Sequence, residues 1–118
     1  MMDNEIIQMD GCEFWGEYLY LVTAHGHSLL KLFFDRKHPE GCCEIGELNT
    51  HPEYRQKGYA KMLVGEAERL AKEKGYWQVL LWTNRDTWVQ EWYERMGYEV
   101  EEFMRPPSDG TVWLSKFL

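Results

Sequence analysis

The run from Cys42 to Trp82 constrains this chain more than any other, because its hydrophobic period changes twice. Cys42 to Thr50, "CCEIGELNT", reads as a strand. From Gly58 to Lys74 the period becomes helical. Ala60, Leu63, Val64, Ala67, Leu70 and Ala71 fall on one face, with Lys, Glu and Arg opposite. Gly75 follows as the left-handed residue that stops the helix. Tyr76 to Trp82, "YWQVLLW", is then a short, nearly continuous apolar run, as expected of a strand covered on both faces. A strand, a crossover helix and a second strand close in a right-handed sense, which makes the two strands parallel.

The remaining segments add antiparallel strands. Glu5 to Met9 reads as a short strand stopped by Asp10-Gly11. Phe14 to Ala24 and Ser28 to Phe34 form a hairpin about the turn His25-Gly26-His27. Asp35 to Gly41, with His38-Pro39-Glu40-Gly41, is a loop. Thr87 to Met96 is a second helix with Val89, Trp92, Tyr93 and Met96 as its apolar stripe and Gly97 as its stop. Tyr98 to Phe103 and Thr111 to Leu118 read as strands joined by the turn-rich loop Arg105 to Gly110. The expectation is an α/β (α+β mixed) fold in one domain, residues 1–118. It has a central mixed sheet of about six to seven strands, the helices 58–74 and 87–96, and a short N-terminal region without a helix.

Charge and cysteine usage narrow the partners. Thirteen Lys and Arg against 20 Asp and Glu leave a net charge of -7. Such a chain repels phosphate backbones, so nucleic acid is not the expected partner, while a cationic one is attracted. Three cysteines, two of them adjacent, make a poor disulfide framework and no zinc spacing. They are expected to be reduced thiols in a cytoplasmic protein. The acidic start "MMDNEIIQMD" is unlike a signal peptide, and no apolar run reaches membrane-span length, so no membrane partner is expected. His25 and His27 flank a turn with no carboxylate or cysteine close in sequence, so no metal is assigned.

The segment "NTHPEYRQKGYA", Asn49 to Ala60, joins the first parallel strand to the long helix. A helix N-terminus carries unpaired N–H groups and a partial positive charge. A loop there can wrap an anion in its amides. Gly58 lets a ligand approach the backbone, Ala60 is small, and Arg55 and Lys57 add charge. The chemistry suggested is a diphosphate seated on the helix start.

Arg-x-x-Gly-x-Ala in this setting resembles motif A of the GNAT superfamily of acyl-CoA N-acyltransferases. "EWYERMGYEV", Glu91 to Val100, resembles the family's motif B, and the ending "DGTVWLSKFL" is similar to the last strand of a short bacterial branch. The resemblance covers roughly residues 42 to 118. Before residue 42 it is poor, since family members usually carry helices there.

The resemblance implies acetyl-CoA as cosubstrate, a GNAT-like fold, and direct attack of an amine on the thioester. It assigns coenzyme binding to the amides of Arg55, Gln56, Lys57, Gly58, Tyr59 and Ala60. The strand end Leu48, Asn49 and Thr50 would pair with the pantetheine arm, and an amide near Asn49 or Thr50 would polarise the thioester carbonyl. In the family this strand splays from the next parallel one, and the arm fills the gap. Tyr93 stands at the motif B tyrosine, which acts as general acid in many members. Glu44 lies 11 residues before Arg55, where some protein-lysine acetyltransferases place a general base. Glu47 is the other candidate. Regular strand alternation puts Glu44, Gly46, Leu48 and Thr50 on one face and Glu47 on the other, so only one carboxylate should face the thioester. Asn84 stands near the family's pantetheine-contacting asparagine, though its spacing to Tyr93 differs; a turn or helix-capping residue is its other reading. The acceptor is an amine, either a small cationic one or a protein lysine or N-terminus. A GNAT-fold interaction module without catalysis, whose aromatics form an interface such as a homodimer, is the alternative.

Overall fold

The computed structural model describes residues 6–13, 16–23, 26–34, 38–102 and 104–118. Seven strands form one sheet: β1 (Ile6–Glu13), β2 (Gly16–Thr23), β3 (Ser28–Phe33), β4 (Cys42–Thr50), β5 (Gln78–Asn84), β6 (Glu99–Val100) and β7 (Thr111–Phe117). Their order across the sheet is β1-β2-β3-β4-β5-β7-β6. Helix α1 (Tyr59–Glu73) connects β4 to β5, which run parallel, and α2 (Trp88–Arg95) connects β5 to β6. All other neighbours are antiparallel. The mixed α/β architecture is the expected one.

Both helices pack on one face of the sheet. Leu63, Val64, Ala67, Leu70 and Ala71 of α1 join Leu19, Leu21, Leu30, Leu32, Cys43, Ile45, Val79 and Leu81 in one buried cluster, which also takes in Tyr93 and Tyr98. The opposite face holds a smaller cluster of Cys42, Leu80 and Trp113, with Met104 against it. Two Schellman motifs end the helices. Gly75 N–H donates to Lys72 and Tyr76 N–H to Ala71; likewise Gly97 donates to Glu94 and Tyr98 to Tyr93. Glu68 ties α1 to the far edge of the sheet, accepting from Tyr98 Oη at 2.9 Å and Lys116 Nζ at 3.0 Å.

Several boundaries differ from the sequence expectation. β1 runs through Asp10-Gly11 to Glu13, because Gly11 pairs with Tyr18 and the phenol ring lies over the bare backbone. β5 begins at Gln78 rather than Tyr76, since Tyr76 completes the helix stop and Trp77 N–H donates to Gly41. It ends at Asn84, held in register by Thr111 of β7. β6 is only Glu99–Val100, and α1 and α2 begin one residue later than expected. Glu5, Phe14, Ala24, His25 and Phe103 lie outside the described residues.

The two features that build the site lie in β4. β4 and β5 pair over only three residues, Cys42–Gln78, Cys43–Val79 and Glu44–Leu80, and then diverge. β4 also carries a bulge. Ile45 pairs with Leu32 and Glu47 with Lys31, leaving Gly46 as the extra residue.

Candidate functional site

The carboxyl ends of β4 and β5 and the start of α1 lie together at one end of the sheet. After β4 the chain makes a 3₁₀ turn, Pro52–Tyr54, capped by His51. Gln56 and Gly58 both have positive φ, 64° and 86°. Residues around such a left-handed position turn their amides inward and form an anion-binding nest. Gly58 is the N-cap of α1 and offers no side-chain cap. Among the described residues, the amides from Gln56 to Lys61 have no hydrogen-bond acceptor, and the first helical bond is Met62 N–H to Gly58 O. A Cβ built on Gly58 meets nothing within 4 Å. The residues therefore fit a diphosphate. Open space stands in front of free donors at the positive end of a helix.

The surrounding side chains shape this cradle. Arg55 Nε donates to Thr50 O at 3.2 Å, which draws the guanidinium back over the end of β4. Lys57 Nζ lies 5.5 Å from the centre of the Tyr54 ring. His27 stacks on Tyr54 at 3.5 Å and an interplanar angle of 7°, with Tyr59 beyond. This aromatic wall escaped sequence reading because His27 comes from the β2–β3 turn. Ala60 is half-buried.

Past Glu44, the β5-side edge of β4 carries Leu48, Asn49 and Thr50, with no strand beside it among the described residues. The opposite edge is fully engaged by β3 through Asn49 and Thr50. Ser28 Oγ also donates to Asn49 O and lies 2.7 Å from Thr50 Oγ1. The free edge can accept an extended amide-bearing chain in the manner of a strand.

The bulge at Gly46 corrects the expected arrangement of the carboxylates. It inverts the alternation, so Cys43, Ile45, Leu48 and Thr50 share the helix face while Glu44 and Glu47 share the open one. Both acids thus stand on the same side of the fork. Glu47 is half-exposed, 3.4 Å from Lys31 Nζ, and accepts from Asn49 Nδ2 at 3.3 Å. Glu44 is 2% exposed, and its Oε1 lies 2.5 Å from His38 Nε2. His38 in turn meets the Trp113 ring edge-on at 5.4 Å. Sequence reading placed His38 in a loop; Glu44 lies six residues on and Trp113 comes from β7, and no local pattern announces that they meet it.

Tyr93 occupies the helix face. It is 6% exposed, with the Trp92 and Tyr98 rings at 4.9 and 5.5 Å. Burial pushes its phenol well above the ordinary tyrosine range, so it stays protonated. Its hydroxyl has no hydrogen-bond partner among the described residues, which is unusual for a group this buried. Asn84 is exposed at the end of β5, and its carbonyl accepts from Thr87 Oγ1 at 2.8 Å. The cap of α2 is Thr87, not Asn84. Among the described residues no three His, Cys, Asp or Glu side chains gather as a metal site, and no helix is long and apolar enough to cross a membrane.

The family model described as "Acetyltransferase (GNAT) family" matches residues 7–98. Among solved structures, the chain is similar to a PaiA N-acetyltransferase from Thermoplasma acidophilum in complex with coenzyme A. The TM-score is 0.69 at 22% identity, over 86% of this chain and 60% of that one. It is similar to a Bacillus subtilis acetyltransferase in complex with CoA, with a TM-score of 0.70 at 16% identity over 97% and 99%. A GNAT-family acetyltransferase from Staphylococcus aureus gives 0.68 at 15% identity over 87% and 68%. At these identities the likeness is one of fold. The chain spans about three fifths of the Thermoplasma protein's length. No curated protein sequence matches. With the family model covering most of the chain, and with the fork and the nest in the order that its motifs require, the chain belongs to the GNAT acetyltransferase family.

Proposed function

We propose that this protein is an acetyl-CoA-dependent N-acetyltransferase acting in the cytoplasm on an amine, either a small cationic one or a protein lysine or N-terminus. The observation that carries the reading is the fork between β4 and β5, opening beside free amides at the start of α1. The amides of Gln56 to Ala60 hold the diphosphate, that of Arg55 being turned to Pro52 O instead, and Leu48, Asn49 and Thr50 pair with the pantetheine arm. Asn84, at the end of the other prong, would add a further polar contact. An amide near Asn49 or Thr50 polarises the thioester carbonyl.

The chemistry is a single displacement in a ternary complex. The amine loses a proton, its nitrogen adds to the thioester carbon, and the C–S bond breaks. Glu44 is the carboxylate that drives removal of that proton, directly or through a group bonded to it, with Glu47 as the second candidate on the same face. Tyr93 supplies a proton to the departing thiolate, its hydroxyl having no other partner among the described residues.

Acetyl-CoA should raise the thermal midpoint, and thiol should be released when amines are screened as acceptors. The exposed Trp77, Trp82, Trp88 and Phe117 support the rival reading of a binding module. That module would show neither effect, and its mass in solution would change with its partner.

A further inference from the structure

Glu44 is too deeply covered to meet an amine directly. Its residual exposure is 2%, and His38, itself 9% exposed at the side chain, contacts its Oε1. The ring contacts Glu44 through Nε2. Nδ1, on the other side of the imidazole, has no hydrogen-bond partner among the described residues. The backbone beneath is fixed, because Cys42 N–H donates to Pro39 O. The Trp113 edge braces the ring, and that indole is itself anchored by Nε1 donating to Arg105 O at 2.9 Å. The pair sits where β4 and β5 last touch, at Glu44–Leu80, beside the mouth of the fork.

We propose that His38 is the group that takes the proton from the acceptor amine, with Glu44 acting through it. The inference rests on the N-acetyltransferase reading above. A carboxylate accepting from Nε2–H fixes the tautomer that leaves the Nδ1 lone pair free. The amine proton moves to Nδ1, the amine nitrogen forms its bond to the thioester carbon, the C–S bond breaks and the sulfur leaves as the thiol with a proton from Tyr93, and the imidazolium so created is stabilised by Glu44. The proton later passes to water. His38 is therefore the catalytic residue and Glu44 a positioning one.

Two measurements test this. Nitrogen NMR of histidine-labelled, CoA-loaded protein should show neutral His38 protonated at Nε2 and bare at Nδ1. A proton on Nδ1 in the neutral ring would overturn the proposal with no acceptor needed. His38→Ala should bind CoA within about twofold of wild type, and thiol release with spermidine or a lysine peptide should fall roughly 10²–10³-fold. Added imidazoles should restore the rate in proportion to their basicity. Normal turnover, or rescue indifferent to basicity, would overturn it. If His38→Ala does not fold, His38→Gln keeps a donor to Glu44 but lacks a basic nitrogen, and the same loss is expected. Normal turnover in that variant would also sink the relay. If wild-type protein fails to bind CoA, the acetyltransferase reading falls instead.

Discussion

Glu44 and Glu47 stand on the same face of β4, although an odd separation in a regular strand would oppose them. Gly46 is the reason. As the extra residue of a bulge it shifts the alternation by one, so a single glycine decides which side of the sheet is acidic beside the fork. Glu44 is then buried against His38, whereas Glu47 remains at the surface with Lys31.

This difference separates the two acids by experiment. Glu44→Gln should reduce kcat by roughly 10²–10⁴ and leave coenzyme affinity unchanged. Glu47→Gln removes a half-exposed pair and should change kcat by about threefold or less. Steady-state kinetics of both variants with one acceptor decide the assignment; the opposite ranking would move the base to Glu47.

Gly58 is the most direct probe of coenzyme binding. Wild-type affinity is expected near ~1 μM, about -8 kcal/mol. Gly58→Glu places a carboxylate in the open space before the nest, at a φ of 86° that strains any side chain. Binding should be abolished in calorimetry while far-UV dichroism shows a folded protein. Unchanged affinity would place the diphosphate elsewhere.

Tyr93→Phe removes one hydroxyl that has no described partner. Stability should therefore change by about 1 kcal/mol or less, and can rise, because no bond is lost. Turnover should fall by roughly 10²–10³ with coenzyme affinity intact. The deficit should shrink with an acyl donor whose leaving thiol is less basic. A folded variant with wild-type turnover would make Tyr93 a core residue only.

The buried phenols and thiols also set an alkaline limit. Burial pushes Cys43 up to about 12 and raises Tyr93 and Tyr98 above 10.0, with Glu68 beside Tyr98 raising it further. In the unfolded chain these groups ionise near 9 to 10, so above that range the unfolded state holds fewer protons than the native one. Stability should be insensitive to these groups below pH 9 and should fall as pH climbs beyond it. Urea titrations from pH 7 to 11 read the trend. A double variant, Cys43→Ala with Tyr98→Phe, should flatten it.

Sequence reading reached furthest where one local pattern decides the outcome. The α1 stripe from Ala60 to Ala71 and the stop at Gly75 place that helix to within a residue at each end. It failed where a distant partner overrides the local signal. Asp10-Gly11 spells a turn, yet Tyr18 across the sheet covers the glycine and keeps it extended. The bulge at Gly46 is defined only against Leu32 and Lys31. His38 reads as an ordinary loop residue until the third position of β4 and the indole of Trp113 close over it.

The fork has a mechanical consequence. β1 to β4 form one half-sheet and β5, β7 and β6 another, and the strands join them over three residue pairs at a single end. Such a seam would serve as a pivot: rotation about Cys42, Cys43 and Glu44 would widen or narrow the open end, with α1 packed across both halves. A molecule lying along the gap and bonding to both prongs would lock that angle. It would thereby set the distance between the open-face acids and whatever is carried at its tip. The opening angle, more than any one side chain, would then determine how large an acceptor can enter.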